Sequence, residues 1–187
     1  MTLPDPVTPP TKHEVEHLFG QCLLRFQAFE FLMKSIVARH RVSGSKTTKP
    51  EDALTRRASE TRRKTMGFLV NDMMGSVLVP AGQEGLPDTT EAASVSSFAF
   101  VSQISFPPEE FAKIEAEHRG LLMLRNSLVH NFLVEHDLRS EAGCLVAGKT
   151  LTAAIDRVIA NSGLGQLPFV LRAIRFPLTW NQFVRPT

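Results

Sequence analysis

The sequence predicts a mainly all-α fold: a four-helix bundle with a small extended insertion ahead of its third helix and a short tail packed after its fourth. Three observations carry this. Apolar residues recur at spacings of three and four over two long stretches, near 12–41 and 107–134. Both stretches open on helix-start signals. The 187 residues are 43% hydrophobic and 21% charged, enough to bury one core and unlike a disordered or collagen-like chain. A single domain over 1–187 is expected, with a disordered lead-in over 1–11, a helical bundle over 12–163 and a packed tail over 164–187.

The first helix is expected over 12–41. Val15, Phe19, Cys22, Phe26, Phe29, Met33 and Ile36 form its stripe, widened by Leu18 and Leu23, and Thr11 with Glu14 has the form of a capping box. Ser43, Gly44, Ser45 and Pro50 break it, and Pro50-Glu51-Asp52 starts a second helix, expected over 51–79. Its apolar face is Met66, Leu69, Met73, Val77 and Leu78. Residues 80–94 hold Pro80, Gly82, Gly85 and Pro87 and read as a loop. Phe98, Phe100, Val101, Ile104 and Phe106 then suggest short extended segments, a small hairpin between 95 and 106.

Pro107-Pro108-Glu109-Glu110 opens the third helix, with proline in the first turn and acids at the positive end of the dipole. It extends to Val134. Gly143 and Gly148 bracket a brief apolar piece, Cys144–Ala147, after which Thr150 is placed to cap a fourth helix carrying Leu151, Ile155, Val158 and Ile159. The tail, Leu167 to Val184, mixes Phe169, Leu171, Ile174, Phe176 and Trp180 with Pro168 and Pro177, so short packed pieces are expected.

Cys22 and Cys144 have no metal-ligand partners at useful spacing, so neither a zinc site nor a disulfide scaffold is indicated and a reducing cytoplasm fits. Met1 to Pro10 lacks the apolar core of a signal peptide, and no run of about 18 apolar residues offers a membrane span. No metal and no cofactor are expected. A di-metal carboxylate bundle is disfavoured because Glu-x-x-His pairs do not recur across the helices, Glu14–His17 and Glu115–His118 coming nearest.

The net charge of +2 conceals a segregation. Residues 34–64 hold ten basic residues against Glu51, Asp52 and Glu60, a net +7, whereas residues 65–118 hold Lys113 against eight acids, a net −7. A basic end of this kind suits a polyanion such as RNA, with Arg56, Arg57, Arg62, Arg63 and Lys64 as the candidate platform. By charge alone, the simpler explanation is a solvated, salt-bridged helix face.

One stripe carries chemistry. Phe111, Ile114, His118, Leu121, Arg125, Leu128 and Phe132 alternate spacings of three and four along the third helix, which puts Arg125 in the middle of an inward line. A guanidinium there must be paired, face a polar cleft or line an interface, because it stays charged and its burial unpaired is costly. His130 follows five residues later, about 140° further round, and Asn126 lies one turn before it on nearly the same face. His118 is read as structural.

The string Arg125-Asn126-Ser127-Leu128-Val129-His130 resembles the Arg-x4–6-His motif of the HEPN family (higher eukaryotes and prokaryotes nucleotide-binding). The order of elements over roughly 12–160 resembles that family's bundle too, with an internal acid, Glu30, on the first helix and Lys64-Thr65-Met66-Gly67-Phe68-Leu69 on the second. The resemblance implies metal-independent RNA cleavage, a role as a toxin or antiviral defence effector, and a homodimer in which two motifs face each other. The resemblance also implies an antitoxin or other regulatory protein as a partner. The residues suit the chemistry: a histidine moves protons near neutral pH, and an arginine offers a permanent charge with a bidentate fit to phosphate oxygens. His130 is the expected acid/base, Arg125 the stabiliser of the phosphorane, Asn126 an orienting group and Glu30 a supporting partner for Arg125. The alternative is a non-catalytic module of the same family that binds RNA, nucleotide or a protein partner. One subgroup of HEPN toxins extends the motif to Arg-x4-His-x-Tyr and is silenced by nucleotide addition to that tyrosine. Here the position is Phe132 and the chain contains no tyrosine, so that control is closed.

Overall fold

The computed structural model describes residues 8–45, 47–83 and 97–161. Its elements are α1 (Lys12–His40), β1 (Arg41–Ser45), α2 (Pro50–Arg62), α3 (Met66–Asp72) running into a π-helical turn (Met73–Val77), β2 (Leu78–Pro80), β3 (Ser97–Val101), β4 (Ile104–Phe106), α4 (Pro108–Glu135) and α5 (Glu141–Asn161). The chain is mainly helical, as its periodicity predicts. The expectations for 164–187, for most of the lead-in and for most of the 80–94 loop lie outside the described residues.

The capping box forms at the head of α1. The Thr11 hydroxyl accepts from the Glu14 amide at 3.3 Å, and the Glu14 carboxylate accepts from the Thr11 amide at 2.7 Å. From there the stripe Val15, Cys22, Phe26, Phe29, Met33, Ile36 and Val37 is buried along the whole helix. It packs against α5, α2 and α3. Cys144, Ala147, Leu151, Ala154 and Val158 close the core from α5, and Met66, Leu69, Val70, Met73, Met74 and Val77 close it from α3 and the π turn. Each large apolar side chain so buried contributes roughly 1.5–3 kcal/mol.

Three expectations are corrected. The second helix is not continuous over 51–79: it ends at Arg62 and restarts at Met66, with Thr65 extended between them. No Gly or Pro marks this stop, which is why the sequence conceals it. The cause is burial: α2 offers the interior only Ala53 and Thr61, whereas the segment from Met66 onward is apolar, and a bend lets both pack on α1. Lys64 and Asp72 form an ion pair across the bend.

Within the expected 95–106 hairpin, the described residues 97–106 are extended but form no hairpin. β3 pairs antiparallel with β1, from Arg41 opposite Val101 to Ser45 opposite Ser97, while β4 pairs in parallel with β2. Only Ser102 and Gln103 separate β3 from β4, and a two-residue hairpin wants Gly or Asn there to supply positive φ. Instead the Ser102 amide donates to the His40 carbonyl at 2.7 Å.

The last helix starts at Glu141 rather than Thr150. Ser140 caps it, its hydroxyl accepting from the Gly143 amide at 3.1 Å. Both glycines sit inside the helix where neighbours come close. A Cβ on Gly143 would collide with the Asp137 carbonyl, and one on Gly148 would stand 3.0 Å from the Pro10 ring. Gly20, inside α1, has open space around it. Gly20→Ala is therefore expected to raise stability by about 0.5–1 kcal/mol, the usual helix-propensity gain. Gly143→Ala is expected to lower it despite the same gain in propensity. Urea denaturation of the two variants checks the opposite signs.

Candidate functional site

α4 lies at the edge of the helical body, and the packing of its inner line sets what its other faces can do. Of the predicted stripe, Leu121, Leu128 and Phe132 are buried, while Phe111 and Ile114 pack against the core from partly exposed positions. Rings bridge α4 to α1. Phe132 stacks on Phe19 with centroids 4.7 Å apart, and His118 lies 5.8 Å from Phe29. The Phe132 ring is 4% exposed, so the position that carries tyrosine in the extended motif is here a core position.

Arg125 occupies the inward line yet remains half-buried. Its Nη1 donates to the Asn126 side-chain oxygen at 3.2 Å. Glu30 does not take it: that carboxylate is joined to Lys34 at 2.7 Å, one helical turn along α1. The His130 side chain is exposed and makes no hydrogen bond among the described residues. Asn126, also exposed, stands one turn before it on the same outer face. The structure therefore joins Arg125 to Asn126, gives Asn126 and His130 a common face, and leaves Glu30 outside this group.

Around His130 the outer face of α4 is apolar. Met123 is 73% exposed, Leu133 77%, Val134 87% and Val129 42%. So many large apolar side chains beside a polar trio form a patch, and patches of this kind mark interaction surfaces.

The five basic residues of the candidate platform separate in space. Arg56 and Arg57 line a hollow of about 190 Å³ between α2 and β1, together with Arg41 and Ser43. Arg62 lines a wider groove of about 340 Å³ between α1 and α2, with Lys34, Arg39 and Phe31. Arg63 is exposed at the end of α2, and Lys64 is engaged by Asp72. Arg41 and Ser43 were missed by sequence reasoning. Their signal lay in the alternation along β1, where both point to the exposed side.

Two other histidines, the buried His40 and the half-buried His118, are not candidates. His40 donates from Nδ1 to the Val37 carbonyl at 2.7 Å, and His118 to the Ile114 carbonyl at 2.8 Å. Burial pushes both below the ordinary histidine value; those carbonyl bonds oppose it, and at His40 the nearby Arg57 and Arg41 add to the depression. No group of three or more His, Cys, Asp and Glu gathers for a metal among the described residues, and no helix there is long and apolar enough to cross a membrane. No family model, curated protein or solved structure matches the chain.

The depressed histidines carry a pH dependence. The unfolded chain binds protons at His40 and His118 below about pH 6.5 while the folded chain resists them, so their contribution is complete above that pH and is lost as pH falls. Denaturation midpoints at pH 7.5 and pH 5 are expected to differ less in the His40→Asn/His118→Asn double variant than in wild type.

Proposed function

We propose that the chain is a metal-independent endoribonuclease of the HEPN class, acting as a symmetric homodimer, with a role as a toxin or antiviral defence effector. The observation that supports it best is the outer side of α4, where an unengaged His130 and Asn126, with Arg125 bonded to the latter, sit amid exposed Met123, Val129, Leu133 and Val134. An apolar rim around a polar trio suits a second copy of the same helix, because a two-fold interface is self-complementary. Pairing two copies would bring two Arg-Asn-His sets to one cleft.

The chemistry follows from the residue types. The 2′-hydroxyl of the RNA attacks the adjacent phosphorus, a new P–O2′ bond forms, and the P–O5′ bond breaks. The products are a 2′,3′-cyclic phosphate and a 5′-hydroxyl end. His130 of one protomer takes the 2′-hydroxyl proton, and the same residue of the other protomer supplies a proton to the departing 5′-oxygen. Arg125 lies against the phosphorane oxygens, where a fixed cation stabilises the charge that accumulates in the transition state. Asn126, bonded to the guanidinium, holds its orientation.

His130→Ala is expected to reduce cleavage of a fluorogenic RNA by about 10²–10⁴-fold. Arg125→Ala should cost about 10²–10³-fold. Both variants should keep the wild-type circular dichroism, and EDTA should leave wild-type activity unchanged. In sedimentation, Met123→Glu/Leu133→Glu is expected to convert a dimer to a folded monomer that does not cleave. A wild-type protein that cleaves no RNA with or without chelator, and whose expression is harmless to cells, overturns the nuclease and leaves the binding module.

A further inference from the structure

The hollow between α2 and β1 is built by two independent periodicities. Along α2, Ala53, Arg56, Arg57 and Glu60 stand at i, i+3, i+4 and i+7, one face of the helix, and all line the hollow. Along β1, Arg41, Val42 and Ser43 line it from the other side, with the guanidinium and the hydroxyl at i and i+2 on one face of the strand. Ala53 is 3% exposed and has the smallest side chain of the α2 set, which leaves depth beneath the guanidinium groups. Three arginines thus converge on a space of about 190 Å³ with one hydroxyl among them.

Their charges are not spent locally. No ion pair joins Arg41, Arg56 or Arg57 to an acid among the described residues, although Glu60 lines the same hollow. Arg57 goes further: its Nε is shut off from water and has no hydrogen-bond acceptor there. An atom that water cannot reach is closed to a phosphate as well, so an anion in the hollow would meet Arg57 through its terminal nitrogens and offset the charge they share with Nε. The ligand chemistry that matches several guanidinium forks and a hydroxyl is the phosphate group, which offers oxygens in the geometry arginine pairs with two at a time.

We infer that Arg41, Ser43, Arg56 and Arg57 form a binding pocket for a single phosphate group of an RNA strand. The pocket rests on the proposed function only for the source of that phosphate. It is distinct from the Arg125–His130 face on α4, and Glu60 at its edge moderates its affinity.

Isothermal titration of the full chain carrying His130→Ala, first with inorganic phosphate, tests the pocket apart from cleavage. The expected Kd is about 1 mM or tighter. Arg57→Gln and Arg41→Gln should each weaken it at least about tenfold, and Arg57→Lys should not restore it. Arg63→Gln removes the same charge outside the hollow and should change it less than about twofold, whereas Glu60→Gln should tighten it about twofold. Two RNAs of one sequence, with a 5′-phosphate or a 5′-hydroxyl, then identify the source. Tighter binding of the first, abolished by Arg57→Gln, assigns a terminal phosphate; equal binding of both, weakened equally by Arg57→Gln, assigns an internal one. Absence of phosphate binding, an Arg63→Gln loss equal to that of Arg57→Gln, or RNA binding indifferent to Arg57→Gln overturns the inference. Cleavage by the wild type is scored separately, so a pocket that binds phosphate in an inactive protein sinks only the nuclease.

Discussion

The burial of α1 is the constraint on which the other elements depend. Its line from Val15 to Val37 is shielded on successive sides by α5, α3 and α2. Because that line runs the length of a 29-residue helix, the elements around it must distribute themselves along it. The bend at 63–65 is one result. A straight α2–α3 would carry either its charged half or its apolar half away from α1, and the chain instead turns so that Ala53 and Thr61 pack in one place and Met66 to Val77 in another.

α4 is left at the margin of this arrangement, and its marginal position shapes the candidate site. It touches α1 through rings, Phe132 on Phe19 and His118 beside Phe29. With only Leu121, Leu128 and Phe132 fully covered, the remainder of the helix stays accessible. Arg125 can therefore occupy an inward position without the penalty of full burial, since its guanidinium reaches Asn126 at the helix edge. The same geometry puts His130 and the apolar residues beside it on the surface.

The basic segment behaves differently from a uniform charged face. β1 turns back along α2 after the end of α1, which draws Arg41 and Ser43 to the side of α2 that carries Arg56 and Arg57. Arg62 faces the opposite groove with Lys34 and Arg39, and Lys64 is bound to Asp72. Cations that lie close in sequence fall into separate places because helix and strand periodicities sort them by direction.

Local interactions were legible in the sequence. The Thr11–Glu14 cap, the stripe of α1 and the proline start of α4 depend on residues within a few turns of each other, so spacing alone determined them. The stripe of α5 was present as well, at Cys144, Ala147, Leu151, Ala154 and Val158, but Gly143 and Gly148 disguised it. Those glycines answer to Asp137 and Pro10, neighbours outside the helix that periodicity does not reveal. The Arg-x4-His string and its angular relation were likewise in the sequence. Tertiary structure alone decided that β3 pairs with β1 and that Arg41 joins Arg56 and Arg57, because each depends on which surfaces remain free once α1 has been buried.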